Sequence, residues 1–210
     1  LRRQRQMCIR DSGYIGFDRT IYKDIKKLLP ASYGTVSLAK TELQPCLYWS
    51  SSDLFNSNQD EQVPINYGTA VQSIHSKLLS IVEGQMISDV PIGSFLSGGV
   101  DSSLITALMQ RVSNIPVSTF SIGFHESDFN EAEYAKRVAN HIGTEHTELY
   151  VSSQEVRDII PKMPSVFSEP FSDSSQLPTY LVSQLTASQV KVALSGDAGD
   201  EVFSGYNRYK

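Results

Sequence analysis

The chain has 210 residues, 40% of them hydrophobic, and a formal net charge of -5, which supports one well-buried domain and is short for two. The acidic balance, with no basic run able to neutralise many phosphates, excludes non-specific nucleic-acid binding, and no apolar stretch approaches the roughly 20 residues that span a bilayer. Cys8 and Cys46 are the 2 cysteines; they fit a reducing compartment better than a disulfide framework, so a soluble, cytoplasmic protein without nucleic-acid or membrane partners is expected. Residues 1–12, with Arg2, Arg3 and Arg5 but no Met at position 1, read as a non-native scar and are set aside. Residues 13–49 read as short strands and turns at the edge of a domain. Residues 50–64, rich in Ser, Asn, Asp and Gln, read as a loop or linker. From Asn66 the pattern turns helical, with Val71, Ile74, Leu78, Leu79 and Val82 at three- and four-residue spacing and His75 as a surface residue. Next come a strand over 91–96, a helix over 102–112 and a strand over 117–124. Ala132, Ala135, Val138, Ala139 and Ile142 predict a helix over 131–142, which Gly143 stops. A polar-apolar strand over 144–151, helices over 155–163 and 177–188, and a short strand at 190–194 complete the series. Strands alternating with helices predict an α/β fold, a doubly wound parallel sheet with right-handed crossovers. No internal repeat or low-complexity tract occurs.

Two of these strands run into glycine loops. The first passes from Val90-Pro91-Ile92-Gly93-Ser94-Phe95-Leu96 into Ser97-Gly98-Gly99-Val100-Asp101-Ser102-Ser103, and a helix follows at once. Glycines let the backbone turn sharply and present N–H groups to an anion, because no Cβ stands in the way. The helix start adds its orphan N–H groups and the positive end of its dipole. Ser102 and Ser103 add hydroxyls, and Asp101 offers a carboxylate to a divalent metal on the phosphates. The Walker A lysine is missing, so this is a different phosphate loop. The second strand, Val190 to Leu194, enters Ser195-Gly196-Asp197-Ala198-Gly199-Asp200-Glu201-Val202-Phe203-Ser204-Gly205-Tyr206-Asn207-Arg208-Tyr209. Taken alone that segment also reads as an acidic surface turn. Ligands of open α/β sheets collect at the carboxyl ends of strands, so the two loops can face one crevice.

The first loop resembles the SGGxDSS loop of the ATP pyrophosphatases. Both loops together, with Ser88-Asp89-Val90-Pro91-Ile92-Gly93 upstream, resemble the synthetase domain of the glutamine-dependent asparagine synthetases. Residues 19–30 and Tyr48-Trp49 resemble the interdomain region of that family. The resemblance implies a PP-loop (adenine nucleotide alpha hydrolase-like) sheet. It also implies three segments: 1–12 as the scar, 13–64 as the region after a missing glutaminase domain, and 65–210 as a C-terminally truncated ATP-pyrophosphatase domain. Cys8 lies too close to the first loop to belong to a glutaminase and is not expected to be a nucleophile.

The implied reaction adenylates the side-chain carboxylate of aspartate with ATP, releases pyrophosphate, and lets ammonia derived from glutamine displace AMP. Ser97, Gly98, Gly99, Ser102 and Ser103 are assigned to pyrophosphate, and Asp101 and Asp200 to Mg2+. Phe95, Leu96, Ile122 and Gly123 lie where the family holds adenine by backbone contacts, with core packing the ordinary reading of their side chains. Ser195 and Gly196 fall near the ribose and acyl adenylate. Asp197 stands where these enzymes often carry Glu, as the base toward ammonia. Glu169, Asp173, Ser174 and Ser175 are expected at the acceptor site, although Ser174 or Ser175 replaces an Arg that binds the acceptor's α-carboxylate. That stretch equally reads as a loop before a helix, capped by Asp173. Ala198 and Ser204 stand where the family usually has glycine or a similarly small residue, and Ala198 would resist a positive φ. Because further catalytic helices are expected beyond Lys210, the fragment by itself is expected to be inactive. Two other readings are carried: the same chemistry on another carboxylic acid, such as a polysaccharide or secondary-metabolite precursor, and a non-catalytic nucleotide-binding module. A homodimer is one expected assembly.

Overall fold

The computed structural model describes residues 12–16, 18–53, 66–125 and 131–206. Cys8, residues 54–64 of the expected loop or linker and the last residues of the second motif, 207–209, lie outside the described residues. In chain order the elements are β1 (Ser32–Ser37), β2 (Lys40–Leu47), α1 (Tyr67–Gln85), β3 (Ile92–Phe95), α2 (Val100–Val112), β4 (Ser118–Phe124) and α3 (Ala132–Ile142). Then follow β5 (Glu145–Val151), α4 (Ser153–Ile159), a 3-10 turn (Ile160–Lys162), α5 (Met163–Val166), α6 (Gln176–Ala187), β6 (Val192–Leu194) and α7 (Gly199–Phe203). They divide into two compact units, Leu1–Asn66 with Lys162–Asp173, and Tyr67–Pro161 with Ser174–Lys210.

In the first unit β1 and β2 form an antiparallel hairpin, with Ser32 opposite Leu47 and Ser37 opposite Lys40. Two strands alone bury little, and Tyr33, Val36, Leu43 and Leu47 stay exposed. Polar contacts hold the rest of this unit. The buried Thr20 hydroxyl donates to the Ile25 carbonyl at 2.8 Å and accepts the Tyr22 N–H at 3.1 Å. Lys27 Nζ donates to the Ile15 carbonyl at 2.9 Å, and the Ser172 N–H donates to the Gly13 carbonyl at 2.6 Å. Bonds of this kind tie residues 162–173 to the chain's early segment.

The second unit has the parallel sheet expected from the alternation of strands and helices, in the order β5-β4-β3-β6. Val82 of α1 and Leu108 and Met109 of α2 bury against Val117, with Leu78 and Ile105 around them. Each such side chain is worth about 1.5–3 kcal/mol when fully buried. Gly93 in β3 is set so close to its neighbours that a Cβ would lie 2.7 Å from the Phe120 ring. Gly143 ends α3 in the left-handed conformation, φ 84°, as the sequence predicts.

The helix expected over 155–163 is shorter than its pattern. Ser152 caps α4 in a box with Glu155, so α4 begins at Ser153. It ends at Ile159 because Pro161 and Pro164 have no N–H to extend the ladder. The Ser152 N–H and hydroxyl hold the Glu155 carboxyl below its ordinary range. No helix among the described residues is long and apolar enough to cross a membrane.

Candidate functional site

The chain steps outward from β3 to β4 and β5, then crosses back to lay β6 on the other side of β3. Between β3 and β6 the strand order reverses, and loops leaving such a pair diverge and open a crevice at the carboxyl ends. Ile92 pairs with Val192, Gly93 with Ala193 and Ser94 with Leu194. The two glycine loops therefore start side by side.

The first loop is closed by its own hydroxyls. Ser102 Oγ accepts the Ser97 N–H at 3.2 Å, lies 2.9 Å from Ser97 Oγ and donates to the Gly99 carbonyl at 3.3 Å. Ser97 Oγ in turn accepts the Gly99 N–H at 3.2 Å. Gly98 has φ 82°, and a Cβ there would stand 2.7 Å from the Ala135 N and 2.8 Å from the Tyr134 carbonyl carbon. Glycine is thus required twice at this residue, by conformation and by space. α2 starts from Gly99 without a side-chain cap, with Asp101 in its first turn. Ser103 Oγ is buried without a hydrogen-bond partner among the described residues. Beneath the loop, the buried hydroxyls of Ser94 on β3 and Thr106 on α2 meet at 2.8 Å and fix strand to helix.

The second loop closes onto the first. A Cβ on Gly196 would lie 2.5 Å from Ser102 N and 2.7 Å from the Asp101 carbonyl carbon, and the Asp101 carboxylate fills the space beside Gly199. Ser195 Oγ donates to Asp197 Oδ2 at 2.9 Å, and Asp197 is exposed. Ala198 and Ser204, the two departures from glycine, have φ 70° and 57°. Asp200 and Glu201 begin the short α7, and the Tyr206 hydroxyl donates to Glu201 at 2.8 Å. The structure thus brings Ser97, Gly98, Gly99, Asp101, Ser102, Gly196 and Gly199 into one locus, with Ser103 one residue further along α2.

Phe95 and Leu96 end β3, and Ile122 and Gly123 lie near the end of β4. Leu96 donates its N–H to the Phe120 carbonyl at 2.9 Å and buries its side chain against Ala135 and Ala139. Gly123 is buried between Tyr150 and Ala132. The Leu96 side chain is core, and those of Phe95 and Ile122 are half-buried.

The residues expected at the acceptor site divide between the units, Glu169 and Asp173 in the first, Ser174 and Ser175 in the second. Glu169 is engaged within its own unit, accepting the Ile21 N–H at 2.7 Å and pairing with Lys27. Burial pushes its carboxyl up, but the Lys27 hydrogen bond, the Ile21 N–H and the Lys27 charge outweigh that and hold it below the usual range. No group of three or more His, Cys, Asp or Glu side chains among the described residues is placed to hold a metal ion.

Sequence reading missed a polar cluster on β4 and β5, formed by Thr119, Ser121, His146 and Glu148. His146 Nδ1 lies 2.8 Å from the Thr119 hydroxyl and Nε2 lies 3.1 Å from the Ser121 hydroxyl. Period-two spacing puts His146 and Glu148 on one face, but nothing in the sequence says that a helix covers that face.

A family profile described as asparagine synthase matches residues 73–210. A putative asparagine synthetase [glutamine-hydrolyzing] 2 from Methanocaldococcus jannaschii is 37% identical over 195 residues, covering 92% of this chain and 36% of that protein. Asparagine synthetase [glutamine-hydrolyzing] 1 from Bacillus subtilis is 38% identical over 140 residues, 67% of this chain and 22% of that protein. Asparagine synthetase B [glutamine-hydrolyzing] from Escherichia coli is 33% identical over 156 residues, 66% of this chain and 27% of that protein. The chain therefore spans about a fifth to a third of the length of these relatives. The matched residues contain both glycine loops and the whole reversing sheet that joins them, and on that ground the chain belongs to the asparagine synthase family.

Proposed function

We propose that this chain carries the ATP site of a ligase that adenylates a carboxylate and passes ammonia to it. The observation that carries the reading is the junction of the two loops, with Gly196 and Gly199 set against Ser102 and Asp101 where the strand order reverses. Ser97, Gly98, Gly99, Ser102 and Ser103 bind the pyrophosphate end of ATP, and the orphaned Ser103 hydroxyl is one donor free for it. The backbone at Phe95-Leu96 and Ile122-Gly123 holds adenine, and Ser195 and Gly196 hold ribose and acyl adenylate. These groups are positioned before the reaction, so they stabilise departing charge without reorganising.

Asp101 and Asp200 suit Mg2+, which takes one or two carboxylates and completes its shell with phosphate oxygens and water. When bound, the ion would neutralise charge on the leaving pyrophosphate. Asp197, exposed and oriented by Ser195, is the base toward ammonia.

The proposed acceptor is aspartate and the product asparagine, with ammonia drawn from glutamine by a glutaminase domain of the same protein. Ser174 and Ser175, without an Arg in their place, favour a second reading in which another carboxylic acid is activated. Pyrophosphate release from ATP and Mg2+ by the complete gene product, with ammonia and aspartate present or withheld, tests both. Aspartate-dependent release with asparagine formed supports the first. Silence with aspartate but turnover with another acid supports the second, and ATP binding without any turnover leaves a nucleotide-binding module.

A further inference from the structure

Neither loop uses the buried cluster on β4 and β5. Thr119 stands opposite His146 and Ser121 opposite Glu148, on the sheet face where Gly123 meets Ala132 of α3. His146 is 8% exposed. The Thr119 hydroxyl that meets His146 also lies 3.0 Å from the Thr144 hydroxyl, and the Thr144 N–H donates to the Ala139 carbonyl at 3.1 Å in the last turn of α3. Glu148 reaches the middle of α3, with Oε2 3.4 Å from Lys136 Nζ. Its Oε1 is buried with no hydrogen-bond partner among the described residues and lies 3.7 Å from His146 Nε2. Two polar ties from α3 to the sheet, through Thr144 and through Lys136, therefore end on Thr119 and Glu148, the groups on either side of His146, beside the apolar packing of Ala135 and Ala139 on Leu96. α3 is also the wall behind the first loop, because Gly98 packs on the Tyr134-Ala135 backbone.

We infer that the Thr119–His146–Ser121–Glu148 cluster is a positioning device for the first loop, in which neutral His146 holds α3 on the sheet and a second proton on the ring loosens α3 and Ser97–Ser103 together. A neutral imidazole has one donor and one acceptor, and two hydroxyls satisfy both. An imidazolium has two donors, and the charged acceptor nearest Nε2 is Glu148 Oε1, too far for a hydrogen bond. Closing that distance draws the ring from Ser121 and the carboxylate from Lys136. The charged groups acting on His146 are Glu148 on its own strand and Lys136 on α3, while β4 faces it with hydroxyls.

Burial disfavours the charged ring, Lys136 adds to that, and Glu148 only partly offsets it, so the ring is less basic than an ordinary histidine. The sign follows. An opened form binds the proton more tightly than the closed one, so closure is fully favoured above the ordinary value of 6.5 and weakens as pH falls below it. The bearing of this coupling on nucleotide binding rests on the ATP reading above.

Amide hydrogen exchange on the full chain without nucleotide, at matched pH values from 7.5 down to about 5.5 and corrected for intrinsic rates, tests the coupling. In the parent, protection at residues 97–103 and across α3 is expected to fall together by about threefold on acidification, and in His146→Gln it is expected to stay level. Equal losses in parent and variant, or loss at β5 with residues 97–103 unmoved, overturn the proposal. If His146→Gln does not fold, Glu148→Gln is read instead. Without its anion the closed ring is less basic still, so the acid loss at residues 97–103 must deepen, and an unchanged loss overturns the proposal equally. ATP titration of the same proteins is a separate readout. Exchange behaving as expected while ATP fails to bind sinks the nucleotide reading and leaves the coupling standing.

Discussion

The two glycine loops leave neighbouring strands and touch, yet they are built in opposite ways. Ser97–Gly99 is closed by two serine hydroxyls, and its one left-handed residue is a glycine with α3 packed behind it. The second loop puts Ala198 and Ser204 in the left-handed region, where a Cβ crowds the backbone, and leaves Asp197 exposed. Such a conformation persists only where its surroundings over-determine it. For Ala198 those surroundings are the first turn of α2, against which Gly196 and Gly199 are packed, while Ser204 ends α7 with its N–H on the Asp200 carbonyl. The first loop is thus shaped by its own side chains and by α3, and the second is shaped by the first.

The strongest way to break this contrast is Gly98→Ala. With φ 82° and no room toward α3, the variant is expected to lose about 2–4 kcal/mol in thermal unfolding and to lose ATP binding. Unchanged stability would mean that α3 does not shape the loop. Asp101→Asn strikes where the loops meet. Pyrophosphate release by the complete gene product should drop on the order of 100-fold with the melting temperature kept, and full activity would remove Asp101 from the proposed metal-binding pair.

Ser102→Ala removes the hydroxyl that closes the first loop, and a loss of about 1 kcal/mol is expected in urea unfolding. Ser195→Ala, which removes an exposed bond in the second loop, should stay within about 0.5 kcal/mol; similar values for the two would erase the difference between the loops. Ala198→Gly sharpens the contrast from the other side. Relief of the left-handed alanine exceeds the added chain entropy, so a gain of about 0.5–1 kcal/mol is expected from the same urea midpoints.

The sheet was legible because it is built of apolar strands punctuated by glycine, and the structure has β3, β4, β5 and β6 within two residues of the expected bounds. The first loop was legible because strand, Gly-Gly and the helix that follows are one physical unit, although α2 begins at Val100 and not at the expected Ser102. The reversal at β6 was not, since nothing local in Val192–Leu194 says which strand it will join. Glu169 was legible only as an expected acceptor-site residue. The contacts of its carboxylate with Lys27 and with Ile21, at a separation of 148 from Ile21, could not be read locally. In Glu145–Val151, polar residues recur as on a solvent-facing strand, but α3 lies over His146 and Glu148. Polarity marks burial only once the partner is known. Ala198 was the better-read case, because a β-carbon where glycine is expected raises the question of φ directly.

Ile92 pairs with Val192 one hundred positions further on (192 − 92 = 100). During synthesis, β3, α2, β4, α3 and β5 can all assemble while the flank of β3 still has no strand beside it. Until β6 arrives, that flank is an open row of backbone donors and acceptors, a template for pairing with another nascent chain. A contact of such long range is also slow to form, since loop closure comes before any gain from pairing. The strand that completes the crevice therefore also covers the flank of the central strand β3, and translation stalled before residue 192 would leave both undone at once.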